Sequence, residues 1–126
     1  MSALGQVDAN GAPPSPLPRL GGLDEVTRGL VGLHKQLHGR GPVHARSFIS
    51  GDALVCVLGG GFSQTDRALV TAGEEEVVRG HREAIGRVER ERFAELVREL
   101  MGRPVLSHLR DADPAREVCV EVFLLG

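Results

Sequence analysis

The sequence predicts an α+β domain: a four-stranded, mostly antiparallel sheet of two hairpins with helices packed on one face, in the order α-β-β-α-α-β-β. Three observations carry this. A strict apolar stripe runs from Leu23 to Leu37 at helical spacing. Two pairs of short apolar, β-prone runs each face one another across a turn. Between the pairs lies a long, charged, amphipathic stretch. With 126 residues, 41% hydrophobic and 25% charged, the chain has the size and composition of one globular domain.

Residues 1–22 carry four of the seven prolines and little periodic apolar content, so they are expected to form a disordered tail ahead of a single domain over 23–126. The first helix follows. Leu23, Val26, Leu30, Leu33 and Leu37 step by three and four along one narrow face. Asp24 and Glu25 open it and His34, Lys35 and His38 close it, as the helix dipole prefers. Gly39, Gly41 and Pro42 end it.

Val43 to Ser50 and Ala53 to Gly59 then read as a hairpin across Gly51-Asp52, where glycine accepts the positive φ of a two-residue turn. The first strand places His44, Arg46 and Phe48 on one face and Val43, Ala45 and Ile49 on the other. The second, Ala-Leu-Val-Cys-Val-Leu, is apolar on both faces, which predicts a central strand or one covered by a partner. After Gly59-Gly60-Gly61, Ser63 with Asp66 resembles a capping box that starts a short helix to about Ala72. A long helix from Glu74 to Met101 is expected next, bent where Gly80 and Gly86 weaken it. Its surface pairs would be Glu75/Arg79 and Glu83/Arg87. Val105 to Arg110 and Glu117 to Leu124 close the chain as a second hairpin. In its last strand Val118, Val120, Val122 and Leu124 face one way, and Cys119, Glu121 and Phe123 the other.

Composition excludes several functions. Four Phe with no Trp or Tyr is too little for a base-stacking platform. A net charge of −2 argues against a protein held on nucleic-acid phosphates. Two cysteines make neither a disulfide scaffold nor a Cys-rich zinc module. The longest purely apolar run, Ala53 to Leu58, is too short to cross a bilayer. The amino terminus lacks the basic and apolar regions of a secretory signal, so a cytoplasmic protein with reduced Cys56 and Cys119 is expected.

Candidate chemistry is sparse. His34 and His38, four apart on a helix, with His44 opening the next strand, form a conceivable metal set, though helix-end complementation of the dipole explains the first two as well. Gly59, Gly60, Gly61 and Ser63, with Arg46 nearby, form a conceivable anion loop, but neither GxGxxG nor a P-loop lysine is there. Asp111 and Asp113 read as turn residues. Cys56 and Cys119 lie among Val and Leu with no base signalled beside them. His81 and His108 carry no signature. No catalytic residue and no cofactor follow from these patterns.

Four landmarks together resemble the MpsC-like family of small bacterial domains. They are Gly39-Arg40-Gly41-Pro42 before the first hairpin, Leu100 to Val105 as Leu-Met-Gly-x-x-Val, the Asp111 to Pro114 turn, and Val122-Phe123-Leu124. The resemblance spans roughly residues 23 to 125. It departs where the family has Leu-Thr-x-x-Glu and this chain has Phe62-Ser63-Gln64-Thr65-Asp66. The family is named for a component of a Na+-translocating, membrane-potential-generating system. The resemblance implies a soluble, non-enzymatic accessory or regulatory domain, with a membrane transport protein as a possible partner. Without a membrane span the chain itself translocates no ion. The two-faced second strand and the first helix's stripe (Leu23, Val26, Leu30, Leu33, Leu37) add the expectation of a homodimer. A small-ligand or anion sensor built on the glycine loop is the alternative.

Overall fold

The computed structural model describes residues 22–126. The elements are α1 (Gly22–His38), β1 (His44–Ser50), β2 (Ala53–Gly59), α2 (Gln64–Thr71), α3 (Glu75–Val88), α4 (Arg90–Met101), β3 (Val105–Asp113) and β4 (Val118–Leu125). The proline-rich stretch expected to be a tail lies outside the described residues, except Gly22, which is already helical.

The α+β architecture and the element order are as the sequence predicts. The sheet runs β1-β2-β4-β3, every neighbour antiparallel. Two features go beyond the sequence reading. The second hairpin docks through β4, so β2 and β4 are central and β3 forms an edge. The expected single long helix is two, α3 and α4, broken at Glu89. Gly80 and Gly86 do not place that break; Gly86 is buried and serves packing instead.

Turn chemistry explains the joints. Gly51 takes φ +59° in the first hairpin, and Gly102 takes φ +70° to cap α4 in the left-handed conformation. Ser63 and Asp66 make the anticipated capping box: Asp66 N–H donates to Ser63 Oγ at 3.0 Å and Ser63 N–H to Asp66 Oδ2 at 3.0 Å.

The core lies between α1, α4 and one face of the sheet. Val26, Leu30 and Leu33 of α1 meet Leu54 and Cys56 of β2, Phe123 and Leu125 of β4, and Phe93 and Val97 of α4. The α1 stripe is therefore inside the domain. Val26 and Leu30 are wholly buried, Leu33 is 7% exposed, and Leu23 and Leu37 pack against the same cluster. It cannot serve as the surface for a second copy, because the narrow α1 face is the lid of this chain's own sheet.

Burial alternates along β2 and β4, with the residues between the core positions only half-covered. On the two central strands the uncovered face carries no polar side chain, whereas the helix-facing side carries Glu121. The cross-strand row Phe48–Val55–Val122–Leu109 contains no polar residue, and Ala53 and Leu124 extend it. Phe48 is 46% exposed and Leu109 57%.

Candidate functional site

The helix-facing side of β4 carries Cys119, Glu121 and Phe123, and β3 adds His108 and Arg110 opposite Phe123 and Glu121. Into this patch α1 projects His34, one helical turn past Leu30 in the apolar stripe. Glu121 is fully buried. His34 Nε2–H donates to Glu121 Oε2 at 2.5 Å, and His108 Nε2–H donates to Oε1 at 2.5 Å. Arg110 brings its guanidinium to 3.6 Å from Oε2. Both carboxylate oxygens are thus engaged, which is what a buried charge requires.

Burial by itself would raise the pKa of Glu121. The hydrogen bonds from His108 and His34 and the charge of Arg110 more than offset this and hold it down at about 2. The imidazoles are packed by aromatic rings: His108 stacks on Phe123 at 4.3 Å between centroids, and Phe93 meets His34 edge-on at 5.6 Å. The guanidinium carbon of Arg110 lies 5.1 Å from the centre of the Phe93 ring.

A second charge sits nearby. Arg82 of α3 is only 5% exposed, with its guanidinium 3.7 Å over the Phe62 ring and one N–H reaching Gly61 O at 3.4 Å. His38 lies beside His34, ring centroids 5.6 Å apart, with its Nε2 buried and without a hydrogen-bond partner. Burial and then the charges of Arg82, His34, Arg110 and His81 push its pKa down to about 4, so it is a neutral imidazole at pH 7.

The expected metal set does not assemble. His34 and His38 are neighbours, but His44 sits in register with Gly59 on the face of the sheet away from the helices. A different donor set does converge: His34, Cys119 and Glu121 offer ligand atoms within 4.8 Å of one another, all buried. Their donor types suit a borderline transition metal. Arg110, however, stands 3.6 Å from the carboxylate and 3.7 Å from Cys119 Sγ, placing a guanidinium where a metal would bring its charge. The geometry fits an ion-paired polar core better than a metal centre.

The expected anion loop does not assemble either. Asp66 already places a carboxylate at the start of α2, where an anion would sit. Gly60 N–H donates to Glu117 O at 2.8 Å, and Gly61 packs against Gly41, where a Cβ would meet backbone at 3.0 Å. Arg46 pairs with Val57 on the helix-free face.

Cys56 is buried, with burial pushing its thiol up to about 11; Ser47 Oγ–H donates to its Sγ at 3.2 Å. Burial raises the Cys119 thiol as well. Sequence reasoning missed Glu121, His108 and Arg110 as a unit. The available signal was a glutamate lying between Cys119 and Phe123 on one face of the last strand.

No curated protein and no solved structure matches the chain significantly. The family model described as "Na+-translocating membrane potential-generating system (MpsC)" matches residues 24–126. That span takes in every described element apart from the first two residues of α1, and by it the chain belongs to the MpsC family.

Proposed function

We propose that the protein is a non-enzymatic accessory or regulatory subunit, cytoplasmic in location, that works by protein association and first of all as a homodimer. Its family description supports a cation-translocating system as the setting, with a membrane transport protein as the further partner. No described helix is long and apolar enough to cross a membrane. The two thiols, both pushed up by burial, are poor nucleophiles at neutral pH.

The observation that carries the reading is the uncovered apolar face of the sheet. Val55 and Val57 on β2 and Val120 and Val122 on β4 point away from the helices, flanked by Phe48 and Leu109. Sheet faces of this composition are normally buried against a second layer. Charge favours a copy of the same chain as that layer. One row below the apolar one, Arg46 stands at the β1 edge and Asp111, whose Oδ1 also meets Arg79 at 3.5 Å in its own chain, at the β3 edge. A two-fold axis parallel to the strands sets Arg46 of each copy over the partner's Asp111.

Four strands at about 4.8 Å and seven residues at about 3.4 Å make a face of roughly 450 Å². That is at the small end for specific association, so a micromolar dimer is expected rather than an obligate one. Sedimentation equilibrium at tens of micromolar should give twice the 13.5 kDa chain mass. The double variant Phe48→Glu/Leu109→Glu should sediment as a folded monomer. A wild-type monomer under those conditions would overturn the proposal.

A further inference from the structure

A cavity of about 230 Å³ opens where the α3–α4 junction crosses β3. The exposed Arg87, Arg90 and Glu83 and the more buried Arg110 and His108 line it, together with Leu109. Arg87 and Arg90 make no ion pair with any described residue, and the anticipated Glu83/Arg87 pair is not formed, whereas Glu75/Arg79 is, at 3.6 Å. Arg110 is committed on one side only. Its NH2 group faces Glu121 and Cys119, while its NH1 is buried without a hydrogen-bond partner.

This placement is permitted by Gly86. A Cβ there would come to 2.4 Å from Arg110 NH1 and 2.6 Å from its Cδ, so only glycine leaves room for the guanidinium to lie across α3. The result is a small recess with three guanidiniums against one carboxylate. Guanidiniums offer paired N–H donors matched to the two oxygens of a carboxylate or phosphate. Partial enclosure strengthens that attraction relative to water.

We propose that this recess is a binding site for a small free oxyanion, a carboxylate or phosphate compound. At roughly 20–30 Å³ per heavy atom the space holds about eight to twelve such atoms, below the size of ordinary nucleotide sites. The recess borders the sheet-face dimer at Leu109, which lines both, but its arginines lie on the helix side. Because Arg110 also faces Glu121, an anion bound here is wired to the buried His34–Glu121–His108 network, and occupancy stabilises the fold.

The test is thermal unfolding, followed by circular dichroism, in millimolar inorganic phosphate or malonate against sodium chloride of equal ionic strength. One of the two anions should raise the melting temperature by about 5 °C at several times its Kd. Arg87→Ala/Arg90→Ala should abolish the rise. The charge-matched control Arg98→Ala/Arg116→Ala, which removes two arginines elsewhere, should keep it. The proposal is overturned if neither anion exceeds chloride, if the rise survives in Arg87→Ala/Arg90→Ala, or if both double variants lose it equally, which would mark general charge screening.

Discussion

Replacing Glu121 by glutamine tests the polar core most directly. The native carboxyl titrates at about 2 instead of 4.5. The sign follows from linkage: a carboxyl held down in the folded state stabilises it above pH 4.5, and that stability drains away as pH falls toward 2. At about 1.4 kcal/mol for each pH unit, the drop amounts to about 3 kcal/mol. This is a large share of the roughly 5–15 kcal/mol typical of a domain. Glutamine keeps the shape, accepts one imidazole N–H and offers its own N–H to a second, but cannot neutralise Arg110. It should therefore cost about 3 kcal/mol at pH 7 and remove the acid limb between pH 4.5 and 2. The chain has no Trp or Tyr, so urea unfolding is best read by far-ultraviolet circular dichroism. A loss of that size lowers the midpoint by about 1–3 M. If wild type and Glu121→Gln lose stability in parallel below pH 4.5, the buried pairing is not what holds Glu121 ionised, and the reasoning fails.

Four further outcomes are expected. His38 is held neutral, so folding stability should fall as pH drops from 6.5 toward 4, where the unfolded chain takes up a proton that the native imidazole refuses; His38→Gln should flatten that limb in urea titrations. Gly86→Ala should destabilise by about 1–3 kcal/mol through collision with Arg110, whereas Gly80→Ala, with nothing within 4 Å, should gain about 0.5–1 kcal/mol from helix propensity; equal effects would remove the packing role given to Gly86. Ser63→Ala should cost about 1 kcal/mol by breaking the cap of α2. At the sheet face, Arg46→Asp and Asp111→Arg should each weaken the dimer in sedimentation experiments and restore it when combined; a dimer indifferent to all three would keep the interface but discard the strand-parallel axis.

Much of the fold was legible because local signals and tertiary structure agree. The α1 stripe, the Gly51 turn, the Ser63–Asp66 box and the alternation of β4 each state one element in one way. Strand order was not legible, since a hairpin's own pattern does not say which of its strands will meet the earlier hairpin. Nor was the break at Glu89: the apolar period runs from Val78 to Val97 on the core side, while Val88, 77% exposed, marks the end of α3. The site was hidden for a more physical reason. Read by polarity, β4 offers a valine face and a face containing glutamate, and the valine face looks like the interior. The helices cover the glutamate instead, because His34, His108 and Arg110 arrive from α1 and β3 to satisfy it. Such compensation is visible only once distant segments are brought together.

The central position of β4 has a consequence for how the chain reaches this state. Both interior ladders, β2–β4 and β3–β4, need residues 118–125, as does the carboxylate that gathers His34 and His108. The first hairpin and α1 can form early, but their shared apolar surface has no floor until the last strand slots between its neighbours. Closure therefore depends on contacts roughly 60 to 90 residues apart along the chain, β2 to β4 and His34 to Glu121. During synthesis, everything up to residue 117 waits with the core open, so the interval before β4 emerges is when chaperone capture and misassociation compete most strongly with folding.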